Sequence, residues 1–147
     1  IYHWLKNKNP TGSVTSGAEN VAGYPKLKDQ LVQQNWENIS AQDSRLAAAV
    51  NGSGTSNPNF SIGIGTAADA ERLGRIWVGD GARRLTDGSG LVSADGVRVY
   101  RFPREKDSMH ATTGVQANFE RYLINPVTGG KSKVSNGHLN INRLGGD

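Results

Sequence analysis

The sequence predicts an α+β domain in which N-terminal helices pack on a small C-terminal antiparallel β-sheet. Two observations carry this. Up to about Gly74 the apolar residues recur at helical spacing, and after it short alternating runs are punctuated by glycine-rich turns. The charge divides at the same place: residues 1–74 hold six basic and six acidic side chains, residues 75–147 eleven and seven, so the net +4 belongs to the β half.

Taken in order, residues 1–23 form a poor folding unit. Ile1 to Leu5 is apolar, but Asn9 to Gly23 is rich in Gly, Ser, Thr and Asn without a period, and reads as a linker or N-terminal extension of a piece of a longer protein. From Tyr24 the domain begins and runs to residue 147. Pro25 suits a first helical turn, and Leu27, Leu31, Val32, Trp36 and Ile39 make one apolar stripe, which predicts a helix over 25–39.

Ser40 with Asp43 reads as the start of a second helix, closed by Asn51-Gly52, and Gly52 to Asn59 reads as a loop. Thr66 with Asp69 signals a third helix, stopped at Gly74. Arg75 to Val78 then reads as a short strand. Ala94-Asp95-Gly96 between Leu91–Ser93 and Val97–Phe102 predicts a hairpin; Asn125 to Gly130 between Val115–Ile124 and Lys131–Ile141 predicts another.

At 147 residues the chain is one domain in size, with 35% hydrophobic residues and 19 glycines. It has no run of about 18 apolar residues, so neither a membrane-spanning helix nor a signal peptide is expected. The lack of cysteine excludes disulfides, cysteine-ligated zinc and thiol nucleophiles. No cofactor is expected. Trp36 and Trp77 read as core anchors.

The residues suited to chemistry lie in the β half. Alternation places Gln116, Asn118, Glu120 and Tyr122 on one face of their strand, and His138 with Asn140 on the polar side of the last strand. Asn136-Gly137 reads as a bulge or a two-residue turn, and a bulge there brings His138 beside Asn118. Arg98, Arg101, Arg104 and Lys106 line the strand and loop before Asp107 to Gly114. Guanidinium forks and threonine hydroxyls are phosphate ligands.

Metal-independent RNA cleavage needs a base for the 2′-hydroxyl, an acid for the 5′-oxygen and cations for the phosphorane, and histidine serves the first two near neutrality. His110 and His138 are the acid/base candidates, in either order. Arg101, Lys106 and Thr113 complete the expected catalytic set, and Arg98, Arg104, Gln116, Asn118 and Asn140 the substrate-binding set. Asp80, Asp95 and Glu120 support an alternative, a metal-dependent DNase, although Asp95 occupies a turn position that selects Asp for backbone reasons. A second alternative is a non-catalytic module that docks through the basic sheet.

Four segments carry a resemblance: Gly74-Arg75-Ile76-Trp77-Val78-Gly79-Asp80-Gly81-Ala82, Ser93 to Arg101, Thr113 to Glu120 and Ser135 to Ile141. Together, across residues 20–142, the chain resembles the C-terminal toxin domains of two-partner-secreted filamentous haemagglutinins, the CdiA-type effectors of contact-dependent growth inhibition. The resemblance implies a secreted or cell-surface effector of a Gram-negative bacterium, delivered to the target-cell cytoplasm and neutralised by a cognate immunity protein. It further implies a barnase- or EndoU-like fold and a tRNA substrate, and leaves open whether a host translation factor is required. The immunity protein is expected to be acidic and to cover Arg98 to Lys106.

Overall fold

In a computed structural model of the chain, residues 32–107 and 111–142 are described. The chain divides into two units, Ile1–Asn38 and Ile39–Asp147. In the first, residues 32–38 are helical and Gln33 donates to Glu37 one turn on. The expected linker over 1–23 and the start of the first helix lie outside the described residues.

The second unit is α+β. It opens with a short helical stretch, α1 (residues 39–42), which ends where Asp43 turns extended at φ −164° and ψ 142°. Asp43, not Ser40, then caps α2 (Ser44–Asn51), its carboxylate accepting from the Arg45 N–H. Ser40 lies inside α1, so its side chain has no first turn to cap. The same carboxylate takes Arg45 Nε and Nη2 at 2.9 Å each, and Arg45 Nη1 reaches the Ile64 carbonyl, tying α2 to the next strand.

That strand, β1 (Asn59–Gly65), begins where a loop was expected to end and was not foreseen. Helix α3 (Ala67–Val78) starts with the expected capping box between Thr66 and Asp69. It does not stop at Gly74. The backbone continues helically through Arg75 to Val78, the segment expected as a strand, and ends at Gly79, whose φ of 70° suits glycine. Gly74 serves packing instead: a Cβ there would lie 2.4 Å from the Tyr100 ring.

The strands β2 (Arg83–Arg84), β3 (Gly90–Val92), β4 (Arg98–Glu105), β5 (Val115–Ile124) and β6 (Lys131–Ile141) follow, and both expected hairpins form. The six-stranded sheet has the order β1-β6-β5-β4-β3-β2. Four of its pairings are antiparallel, but β1 runs parallel to β6, so the sheet is mixed where an antiparallel one was expected.

Both helices pack on one sheet face. Leu46 and Ala49 from α2, and Ala70, Leu73 and Trp77 from α3, are fully buried with Ala117, Phe119 and Leu139 of the central strands. Trp77 meets Phe119 edge-on at 6.1 Å between ring centroids. Asn136-Gly137 is neither turn nor bulge: it lies within β6, paired with Glu120 and Phe119. Glycine is needed there because a Cβ at 137 would approach Ile62 Cγ2 to 2.8 Å.

Candidate functional site

The opposite face of the same strands is polar. In β5 the residues between the core positions are Gln116, Asn118 and Glu120, and the register sets them against Asn140, His138 and Asn136 of β6. Arg101 of β4 stands opposite Asn118, and Asn59 of β1 opposite Asn136. All six residues of the two central strands are nearly covered, His138 being the most exposed at 8%. Six buried polar side chains where an apolar face would bury more favourably are a cost that folding does not require.

Two hydrogen-bonded groups fill this face. The first surrounds Glu120. Its Oε1 accepts from the Tyr122 hydroxyl at 2.6 Å, and its Oε2 from Arg101 Nε at 2.9 Å and Lys133 Nζ at 3.2 Å. Burial pushes its carboxyl up, but Tyr122, Arg101 and Lys133 together outweigh burial and hold it below the usual glutamate value. Glu120 is therefore a buried, ionised carboxylate. Arg101 Nη1 also donates to Ser89 Oγ at 2.9 Å, which fixes the plane of the guanidinium.

The second group surrounds His138. Gln116 Oε1 lies 3.0 Å from Nδ1 and Asn59 Oδ1 3.2 Å from Nε2. Asn118 Nδ2 donates to Asn136 Oδ1 at 2.8 Å and approaches Nδ1 at 3.3 Å. Lys106 Nζ donates to Asn118 Oδ1 of the second group and is attracted by the Glu120 carboxylate of the first, against repulsion from Arg104, Lys133 and Arg101. Burial and then Arg104 lower the Lys106 pKa, only partly offset by Glu120. Four cations thus share a rim beside one carboxylate and one imidazole.

Of the residues expected from sequence, His138, Arg101, Lys106, Gln116, Asn118 and Asn140 come together here, and Arg104 stands exposed at the edge, opposite Gln116. Arg98 does not join them. Strand alternation turns it to the helix face, where it is 7% exposed and lies 3.6 Å from the Asp95 carboxylate. Thr113 also stays apart, its hydroxyl donating to the Val115 carbonyl, while the backbone N–H of Thr112 reaches Asn140 Oδ1. His110 lies outside the described residues.

Sequence reasoning missed Asn59, because β1 was not foreseen, and Asn136, because it was read as part of a bulge or a two-residue turn. Glu120 was placed on the correct face but named only as a metal ligand. Among the described residues, no three His, Asp or Glu side chains converge on a metal-sized space. Asp95 is occupied by Ser93 Oγ and the Val97 N–H in its turn. A cavity of about 340 Å³ beside Tyr100 and Phe102 opens on the helix face, and none of its lining residues belongs to the polar face.

No family model, curated relative or solved structure matches the chain. The described residues contain no helix long and apolar enough to cross a membrane.

Proposed function

We propose that the polar sheet face is the active face of a metal-independent ribonuclease, and that the domain is an antibacterial toxin acting on tRNA and neutralised by an acidic immunity protein. One observation carries the reading: His138, Glu120, Arg101 and Lys106 share a single buried, hydrogen-bonded face although neither packing nor folding demands them there. The toxin setting, the tRNA substrate, the barnase- or EndoU-like kinship and any host translation factor rest on the sequence resemblance alone.

The chemistry divides among these residues. The 2′-oxygen attacks phosphorus as its proton passes to a base; the P–O5′ bond breaks as an acid gives O5′ a proton, leaving a 2′,3′-cyclic phosphate. In this reading His138 acts as the acid, and Glu120, the ionised carboxylate on the same face, exchanges one of its present partners for the 2′-hydroxyl and takes its proton. Arg101, Lys106, Arg104 and Lys133 supply positive charge to the phosphorane. The metal-dependent alternative has less support, because Asp80, Asp95 and Glu120 are not gathered.

Purified protein incubated with total tRNA in EDTA is expected to give fragments ending in 2′,3′-cyclic phosphate. His138→Ala is expected to lower the rate by about 10²-fold or more with the fold intact. RNA that is bound but left whole would favour the docking module. Plasmid cut only with added divalent metal would favour the DNase. Growth arrest on expression, relieved by an acidic partner protein, tests the toxin setting.

A further inference from the structure

The amides around His138 have a direction. Thr112 supplies a backbone N–H, which only donates, and it reaches Asn140 Oδ1 at 3.2 Å. Gln116 Nε2 donates to the same oxygen at 3.1 Å, so Gln116 Oε1 is the atom left to face His138 Nδ1. The second chain starts at the Lys106 ammonium, also a donor only. Asn118 accepts from it with Oδ1 and donates with Nδ2 to Asn136 Oδ1; Asn136 Nδ2 donates at 3.0 Å to Asn59 Oδ1, which faces His138 Nε2. Both chains end with a carbonyl oxygen against the ring. Asn118 Nδ2 carries two hydrogens: one goes to Asn136 Oδ1 at 2.8 Å and the other approaches Nδ1 at 3.3 Å, a longer contact than that of Gln116 Oε1 at 3.0 Å.

A neutral imidazole has one N–H and donates to one of these oxygens, which sets its other nitrogen's lone pair against the second oxygen; the doubly protonated ring donates to both. We propose that Asn59 and Gln116 are positioning residues that hold His138 as an imidazolium with both N–H directions fixed. The use of that state, giving a proton to a leaving oxygen, rests on the nuclease reading; the state itself does not. Asn59 is only half-buried, so its oxygen is the one a substrate oxygen can displace from Nε2. Among the described residues, the charged groups on this face are Arg101 and Arg104 of β4, Lys106 after it, Glu120 of β5 and Lys133 of β6. From β1 come only Asn59 and Ser61, both uncharged.

The test is an NMR titration of the His138 ring nitrogens in the free protein, in wild type, Asn59→Leu, Asn59→Asp and Gln116→Met. In Asn59→Leu and Gln116→Met the midpoint is expected about one pH unit lower, and in Asn59→Asp higher. A midpoint unchanged or raised in Asn59→Leu overturns the proposal, as does a fall in Asn59→Asp equal to that in Asn59→Leu, which would mark a packing effect. Asn59 is half-buried, so its variants keep the test valid if Gln116→Met does not fold. Because no RNA is present, the proposal can fail while cleavage stands, or hold while cleavage is absent. If cleavage is found, the alkaline limb of the kcat/KM profile is expected to move down with the titration in Asn59→Leu.

Discussion

Trp77 donates its indole N–H to the backbone carbonyl of Glu120 across 3.2 Å, so the central core residue of α3 holds the strand position whose carboxylate, on the other face, binds Arg101, Lys133 and Tyr122. Core and site therefore share one residue of β5. Trp77→Phe keeps an aromatic ring but loses this bond and leaves a void, and a loss of about 2–3 kcal/mol is expected in denaturant unfolding. Cleavage is expected to fall further than the unfolded fraction explains, because Glu120 loses its anchor. Activity that tracks the folded fraction alone would separate core from site.

Glu120 also gives the fold a pH signature. Its carboxyl lies below its ordinary value, so the pairing with Arg101 and Lys133 stabilises the fold fully above the unfolded glutamate pKa of about 4.5 and is lost as pH falls through the lower, folded value. Thermal melts of the wild type are therefore expected to drop in acid below about pH 4.5. Glu120→Gln is expected to start about 1–3 kcal/mol less stable at pH 7 and to show a flatter acid limb. Equal limbs in the two proteins would place the acid sensitivity elsewhere.

Arg104 and Arg98 stand on opposite faces of β4, whose register shifts between Arg101 and Arg104; Arg104 is exposed beside the cation rim and Arg98 is buried on the helix face. Arg104→Gln is expected to weaken RNA binding and to reduce the slope of log affinity against log salt by about 0.7, the value for one phosphate contact to a single strand, with unfolding unchanged. Arg98→Gln is expected to do the reverse, changing stability and leaving the salt slope alone. A shared loss of RNA affinity would refute the assignment of faces.

Gly74 tests the helix boundary. In an exposed helix interior, Gly→Ala stabilises by about 1 kcal/mol. Here the added methyl meets a ring that is itself packed against Phe102 and Phe119 at 5.6 and 5.3 Å, so Gly74→Ala is expected to destabilise by about 1–3 kcal/mol. Calorimetry that shows a higher Tm would mean that Tyr100 moves aside freely.

The parts of the fold that local chemistry specifies were legible. The hairpins follow from Ala94-Asp95-Gly96 and from Asn125 to Gly130, where the Asn125 side chain accepts from Val127 and Thr128 N–H groups two and three residues on. The capping box at Thr66 and the polar face of β5 are equally local. The errors were of another kind. Gly74 looks like a stop because a sequence does not show the Tyr100 ring lying against it, and Gly137 looks like a turn because Ile62 is distant in the chain. Arg98 and Arg101 were grouped by charge although a period of two separates them.

The sequence by itself determined the start of α3, the two hairpins and the alternation that puts amides and imidazole on one side of β5 and β6, since each depends on residues a few positions apart. Only the tertiary structure decided that β1 runs parallel to β6 and brings Asn59 to His138, and that Glu120 sits between Arg101 and Lys133. Those meetings join residues far apart in the chain. They are set by how the sheet buries its apolar face under α2 and α3, which no short stretch of residues encodes.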